Sequence, residues 1–510
     1  MALRTHPASH RAVPVIAAIV VGCVLGCTGP PAAAPVGGPL ILQIGTAQPP
    51  GRSLIGPRAV ARGLYTESLV ATGRDGRVGR RLSDRWEWSK GGAQLKLHVP
   101  PTIFHDGTPL TARLAADLLR KAFAEKRAPL SARDVSGVSA PDDETLVIDL
   151  RRPNAFLLDD LADVPLILGE TVATGPFMLE GGVPATDKGA TLVAFDKYRS
   201  GRPAVDRIVI KQYPTLRAAW TAMWRGDINM LHEVSREAAQ FVDVESNYRV
   251  YPFLRPYTYF VAFNMRHPVL GRREVRQALS HAVDRAAIVR DAMQGRGEVA
   301  DGPIWKYHWA YSTALRTYQF NPEVARLRLD GAGLREPNQP AAGAMSARFR
   351  FKCLMFGGDP RFERVALVLQ KQLYDIGVDM EVEALPLEEL AQRMESGNFD
   401  AFLLEMIGGR SLTATYQVWH SDATVFNASY TTATPALERM RKAVTDDETR
   451  AAVSELQQVL YDDPPALFLA WPQTSRAVAV DVAVPGPPQT DIMGRISQFR
   501  RAETARTPQQ

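Results

Sequence analysis

At 510 residues with 45% hydrophobic content, the chain can bury large cores, and length alone points to two to four domains. Its formal charge of +5 is close to balance and no block of five like charges occurs, which excludes a nucleic-acid footprint. Three cysteines, two of them near the N-terminus, exclude a disulfide framework and a cysteine metal site.

The chain opens with Arg4 and Arg11 on a start free of acids, then the short apolar run Val13 to Val21, then small residues and a cysteine. That is the layout of a secretory signal, and the run is shorter than the roughly 20 residues that span a bilayer. Val24-Leu25-Gly26-Cys27 resembles a bacterial lipobox with Cys27 as the lipidated residue, and Val20-Val21-Gly22-Cys23 fits almost as well. Residues 28–39 (TGPPAAAPVGGP) form a Pro/Gly/Ala tether without core-forming side chains.

From Leu40 onward, short alternating strands mix with amphipathic helices, an α/β pattern. Ile41 to Thr46 reads as the first strand. Gln94 to Val99 alternates with Leu95, Leu97 and Val99 on one face. Asp106-Gly107 marks a turn, Pro109 fixes φ, and Thr111 is placed to cap a helix over Ala112 to Lys126. Strands follow at Thr191 to Phe195 and Arg207 to Gln212, then a helix over Thr215 to Trp224. In the second half come the strand Tyr257 to Asn264 and a helix through Arg272 to Arg285, with Val275, Ala278, Leu279, Ala282 and Val283 on one face and arginines opposite. Cys353, in the alternating run Arg348 to Phe356, reads as a small buried residue. A helix over Phe362 to Ile376 leads into strand Val378 to Glu383.

The string FHDGTPLTA at 104–112, preceded by the strand containing Trp86 and Trp88, resembles the most recognisable segment of the peptide/nickel-type extracytoplasmic solute-binding proteins of ABC importers. Further segments match that family in order: Ala173-Thr174-Gly175-Pro176-Phe177, Tyr198 to Pro203, Arg225 to Ile228, Val275-Arg276-Gln277-Ala278-Leu279, Asn321 to Arg326, Gly397 to Asp400, and Asp462 to Leu469. The resemblance implies a bilobal, periplasmic-binding-protein type II-like (class C) α/β fold with an extra subdomain in the first lobe. It places the lobe I core at 40–59, 166–255 and 471–510, the extra subdomain at 60–165 and lobe II at 256–470, with hinge crossings near Pro256 and Trp471. It also implies a monomeric, extracytoplasmic, lipid-anchored receptor that closes around a small solute and serves ABC permease subunits. A family member repurposed as a periplasmic sensor or chaperone-like protein is the alternative.

No catalytic constellation stands. His232-Glu233 lacks the second histidine of a zinc-protease helix, no G-x-S-x-G or phosphate-binding loop occurs, and the histidines have no metal-ligand spacing. No cofactor is expected. The segment Met406 to Tyr416 departs from the family: peptide-binding members carry an aspartate there for the peptide ammonium, whereas no acid lies between Arg410 and His420. A buried ammonium needs a counter-charge. A neutral or anionic solute therefore fits better, with Arg410 as a donor to carboxylate or phosphate and Ser411 and Thr413 beside it. Glu405 could supply the counter-charge in a shifted register. Tyr257, Tyr259, Asn264, Phe356 and Trp419 complete the expected ligand contacts, and the aromatic loop Trp305 to Tyr311 is either a cleft wall or a surface patch.

Overall fold

The computed structural model describes residues 38–47, 56–125, 129–234, 247–336, 347–407, 410–422, 426–487 and 489–502. The leader with Cys23 and Cys27, most of the tether, and Gly408-Gly409 lie outside the described residues. Among those described, no helix is long and apolar enough to cross a membrane.

A single 14-residue strand, Ala466–Ala479, belongs to two wings of β-sheet. The first wing runs Phe177–Leu179, Gly189–Ala194, Arg207–Tyr213, Ile41–Ala47 and Met230–Leu231 up to the long strand. The second runs from the long strand through Tyr257–Phe263, Ala401–Ile407 and Phe349–Phe356 to Val378–Leu385. Tyr248–Leu254 pairs with the distal half of the long strand, from Ala479 to Gln473, and Tyr257–Phe263 pairs with its proximal half, from Ala470 to Ala466. The chain therefore passes between the wings at 254–257 and again within the long strand, and the Arg255 N–H donates to Pro472 O across the two passages at 2.9 Å. Each wing has its own core, the larger built around Phe260, Phe402 and Trp419 and the smaller around Leu42, Ile44 and Phe177.

A separate four-stranded sheet, Arg85–Ser89, Gln94–His98, Thr145–Leu150 and Val135–Ser139, carries a third core with Leu95, Leu97, Phe104 and Leu119. Its helix starts at Ala112, where Thr111 Oγ1 accepts from the Leu114 N–H, and ends at Ala124, before the expected Lys126. The turn before it is not isolated. Gly107 takes φ +89, Asp106 accepts from the Thr108 N–H, and the His105 imidazole reaches over to Ala173 and Gly175. There Nε2 donates to Gly175 O at 3.0 Å and Nδ1 accepts from the Ala173 N–H at 3.3 Å. Burial holds this imidazole below the usual histidine range, in keeping with a neutral ring that both donates and accepts.

The second-half helix differs from its reading in two ways. It ends at Ala282, and a new turn begins behind Asp284, whose side chain accepts from the Ala287 N–H. Arg276 is buried and not on a solvated face: it donates to Pro464 O and Leu270 O and pairs with Asp463. Arg285 likewise donates to Phe468 O and Ser280 O. A guanidinium has five donors, so an arginine on an apolar face can be fully satisfied by strand-end carbonyls. Helix Pro360–Tyr374 starts two residues earlier than read, because Asp359 caps it and Pro360 occupies its first turn.

The clamp between the 104–112 and 173–177 segments makes two predictions. A β carbon on Gly175 would lie 2.6 Å from the Tyr65 carbonyl, so Gly175→Ala should cost about 1–3 kcal/mol in urea unfolding. His105 has a folded pKa below its unfolded one, so its contribution is complete above pH ~6.5 and lost as pH falls below that value. His105→Ala should remove that part of the acid sensitivity; an unchanged midpoint and pH profile would refute the clamp.

Candidate functional site

A cavity of about 360 Å3 has both wings in its wall. From the first wing it is bounded by the 214–216 turn, Glu233-Val234 and residues 472–475 of the long strand; from the second by Tyr259, the 292–296 turn and the start of helix Pro360–Tyr374. That volume lies within the range of small-molecule pockets.

Local sequence explains how the helix start reaches the cavity. Strand Phe349–Phe356 ends in Gly357-Gly358, and a β carbon on Gly358 would sit 2.2 Å from the Phe356 ring. The glycine lets the turn fold directly over that ring, which packs edge-on to Phe362. Asp359 then caps the helix, accepting from the Arg361 N–H. The positive dipole end of this helix faces the cavity.

Three arginines line the space: Arg296, Arg361 and Arg364. Arg361 forks onto the Asp359 carboxylate, with Nε at 3.0 and 2.9 Å from its two oxygens. Arg364 has its Nε buried without a hydrogen-bond partner. Among the described residues no carboxylate pairs with Arg296 or Arg364, and the acids on the wall are Asp359 and Glu233. The wall therefore carries more positive than negative charge. A buried, unsatisfied guanidinium nitrogen is costly in an empty protein and valuable to an anion that enters.

Of the residues singled out from sequence, Tyr259 stands on the cavity wall, with its ring 5.3 Å from that of Phe362. Tyr257 lies next to it under the Arg255 guanidinium, 4.1 Å from ring to cation. Arg255 in turn pairs at 3.4 Å with Glu405, whose side chain is wholly inaccessible. Glu405, the carboxylate just before the departing segment, thus already faces a buried cation. Phe356 lies beneath the cavity floor and not in its wall.

The remaining residues serve the fold. Asn264 donates its amide to Gly397 O and Phe399 O, and Trp419 is packed edge-on to Phe260, Phe426 and Phe468. Ser411 caps helix Leu412–Trp419 through the Ala414 N–H, and Thr413 is buried beside Asp160. Arg410 is outside the cavity wall, between Asp491, Arg74 and Tyr257, with burial opposing its charge. Arg296, Arg361 and Arg364 were missed from sequence. For Arg361 and Arg364 the signal was the Gly-Gly-Asp-Pro turn at the carboxyl end of a parallel strand, where α/β proteins commonly place ligands.

In the aromatic loop, Trp305 is buried edge-on against Trp471 at 4.9 Å, while His308 and Trp309 face the four-stranded sheet. Cys353 is buried, which pushes its thiol up to about 12. Among the described residues, no group of three His, Cys, Asp or Glu is arranged to hold a metal ion.

Comparison with known proteins accords with this layout. Residues 78–427 match the model of the bacterial extracellular solute-binding proteins, family 5. The oligopeptide-binding protein AppA of Bacillus subtilis is 26% identical over 298 residues, 56% of this chain and 54% of that protein, so the chain spans about half of this relative's length. The dipeptide-binding protein of Escherichia coli is 24% identical over 438 residues, 76% of this chain and 80% of that protein. NikA from Brucella suis, solved with Fe(III)-EDTA, superposes with a TM-score of 0.76 over 90% of this chain and 100% of that one, at 17% identity, a likeness of fold. That fold is the two-lobed type II-like architecture of periplasmic binding proteins, and by the extent of the model match this chain belongs to the bacterial extracellular solute-binding proteins of family 5.

Proposed function

We propose that this chain is the substrate-capture protein of an ABC importer, taking a small anionic solute between its lobes and presenting it to a permease. The carrying observation is the cavity between the wings, where among the described residues the buried Arg364 Nε has no hydrogen-bond partner and Arg296 no carboxylate partner. A solute bearing a carboxylate or phosphate would satisfy both, aided by the helix start at Pro360. The relatives' names point to peptides. A free peptide, however, needs a partner for its ammonium, and Glu405 is engaged with Arg255, which leaves Glu233 as the acid available on the wall.

In this reading lobe I comprises 40–59, 166–255 and 471–510 with the 60–165 subdomain, lobe II comprises 256–470, and they close about the paired passages at 254–257 and 471–473. Closure draws its free energy from the solute's tighter binding to the closed form. A lipid on Cys27 or Cys23 would hold the receptor at the outer face of the membrane.

A thermal-shift screen with dicarboxylates, sugar phosphates, neutral oligosaccharides and free dipeptides tests the reading. An anion at 100 times its dissociation constant should add about 2.7 kcal/mol to the folded state. Arg364→Ala should weaken that binding about tenfold to a hundredfold, the worth of a charged hydrogen bond. If free dipeptides give the strongest shift and Arg364→Ala leaves it intact, the anionic reading is wrong.

The empty protein gives a second check. Arg364→Ala should keep or raise the melting temperature, since it removes an unsatisfied buried donor. Glu405→Ala should cost about 3–5 kcal/mol by stranding Arg255. Equal losses for the two variants would mark Arg364 as a structural residue.

A further inference from the structure

A second cavity, of about 230 Å3, lies where the four-stranded sheet meets the second wing. Trp86 and Trp88 come to it from strand Arg85–Ser89, which is an edge strand of its sheet. Two residues apart, they share a face, and they stand opposite Leu97 and Leu95, on the side that carries the subdomain's core. The second wing supplies His308 and Trp309, and helix Phe156–Asp160 supplies Asp159.

The charges around this space divide into a neutralised part and an unbalanced part. Trp309 is already covered by two cations, Arg77 at 4.2 Å and Arg450 at 5.3 Å, and both pair with Asp446. Asp160 is satisfied by the hydroxyl and N–H of Ser131. Asp159 has neither: among the described residues no side chain hydrogen-bonds it, and the backbone of Leu412 is the one group that favours its charged form. Trp86 and Trp88, unlike Trp309, carry no cation among the described residues. The titratable and charged groups facing Asp159 are Asp160 and Asp163 on its own turn, Arg77 from the turn before strand Val78–Arg80, His308 from the aromatic loop and Asp446 at the start of helix Asp446–Asp462. Desolvation first, and then the two neighbouring aspartates, push its carboxyl up to about 8.

We propose that this cavity is a binding site for a small organic cation of the alkylammonium type, held by Asp159 beside the indoles of Trp86 and Trp88. An aromatic wall and one uncompensated carboxylate are what such a cation needs: the indoles replace its hydration through their negative faces, and the carboxylate supplies the charge. The site is independent of the arginine-lined cavity and calls for ligand charge of the opposite sign.

Choline, whose charge does not titrate, is the probe, measured by isothermal titration calorimetry on the full chain. Binding requires ionised Asp159, which is about one-tenth ionised at pH 7, so affinity should rise about tenfold between pH 7 and 9. Asp159→Asn should abolish binding together with its pH dependence, Trp88→Ala should weaken it several-fold, and Arg364→Ala should leave it unchanged. The neutral isostere 3,3-dimethylbutan-1-ol, which needs no variant to fold, should bind at least tenfold more weakly. The proposal is overturned if the isostere binds as well as choline, if Asp159→Asn retains binding, or if millimolar choline gives no heat at pH 9.

Discussion

Both passages of the chain between the wings run through adjacent residues of one seam. Leu254 pairs with Gln473, the Arg255 N–H reaches Pro472 O, and Tyr259 pairs with Ala470. The ladder therefore continues across the junction, and the wings share backbone hydrogen bonds there. The arginine-lined cavity is arranged about this seam. Its residues 472–475 form one wall of the arginine-lined cavity, Tyr259 forms another, and Glu405 lies opposite Tyr259 in the neighbouring strand. The buried Arg255–Glu405 pair fixes the seam's electrostatics, because each charge is affordable only while the other is present.

Two cavities of unlike character flank the second wing. One collects guanidinium groups at a helix start, and the other collects indoles beside Asp159. Both depend on side chains that an isolated wing would leave in water. The first is made where first-wing loops meet Arg361 and Arg364; the second where the edge strand with its two tryptophans meets the loop with Trp309. In each case burial raises the energetic worth of a charge that would contribute little on an open surface.

Local features were readable from the chain. Thr111 as a cap, Asp106-Gly107 as a turn and the alternation of Leu95 and Leu97 depend on neighbours within a few residues, and the structure has them in those roles. Direction was not readable. Helical periodicity separates a polar from an apolar face but does not say whether the polar face meets solvent or a cleft, so it did not single out Arg361 and Arg364. Arg276 failed in the opposite sense: its place among arginines suggested water, yet the carbonyls of Pro464 and Leu270 hold it inside. Aromatic residues misled for a related reason. Trp419 and Phe356 were expected in a binding cleft, but large rings bury more area in a core, and both do so here.

The His105 clamp ties together two strings far apart in the sequence: one supplies an imidazole and the other the backbone it reads. The seam has a different consequence. Trp471 lies within it, and its partner Trp305 packs edge-on at 4.9 Å, so two of the eight tryptophans in the chain sit where the wings join. Any bending between residues 471 and 473 must alter the surroundings of that indole pair. The closure proposed above would therefore register in the intrinsic fluorescence of that pair.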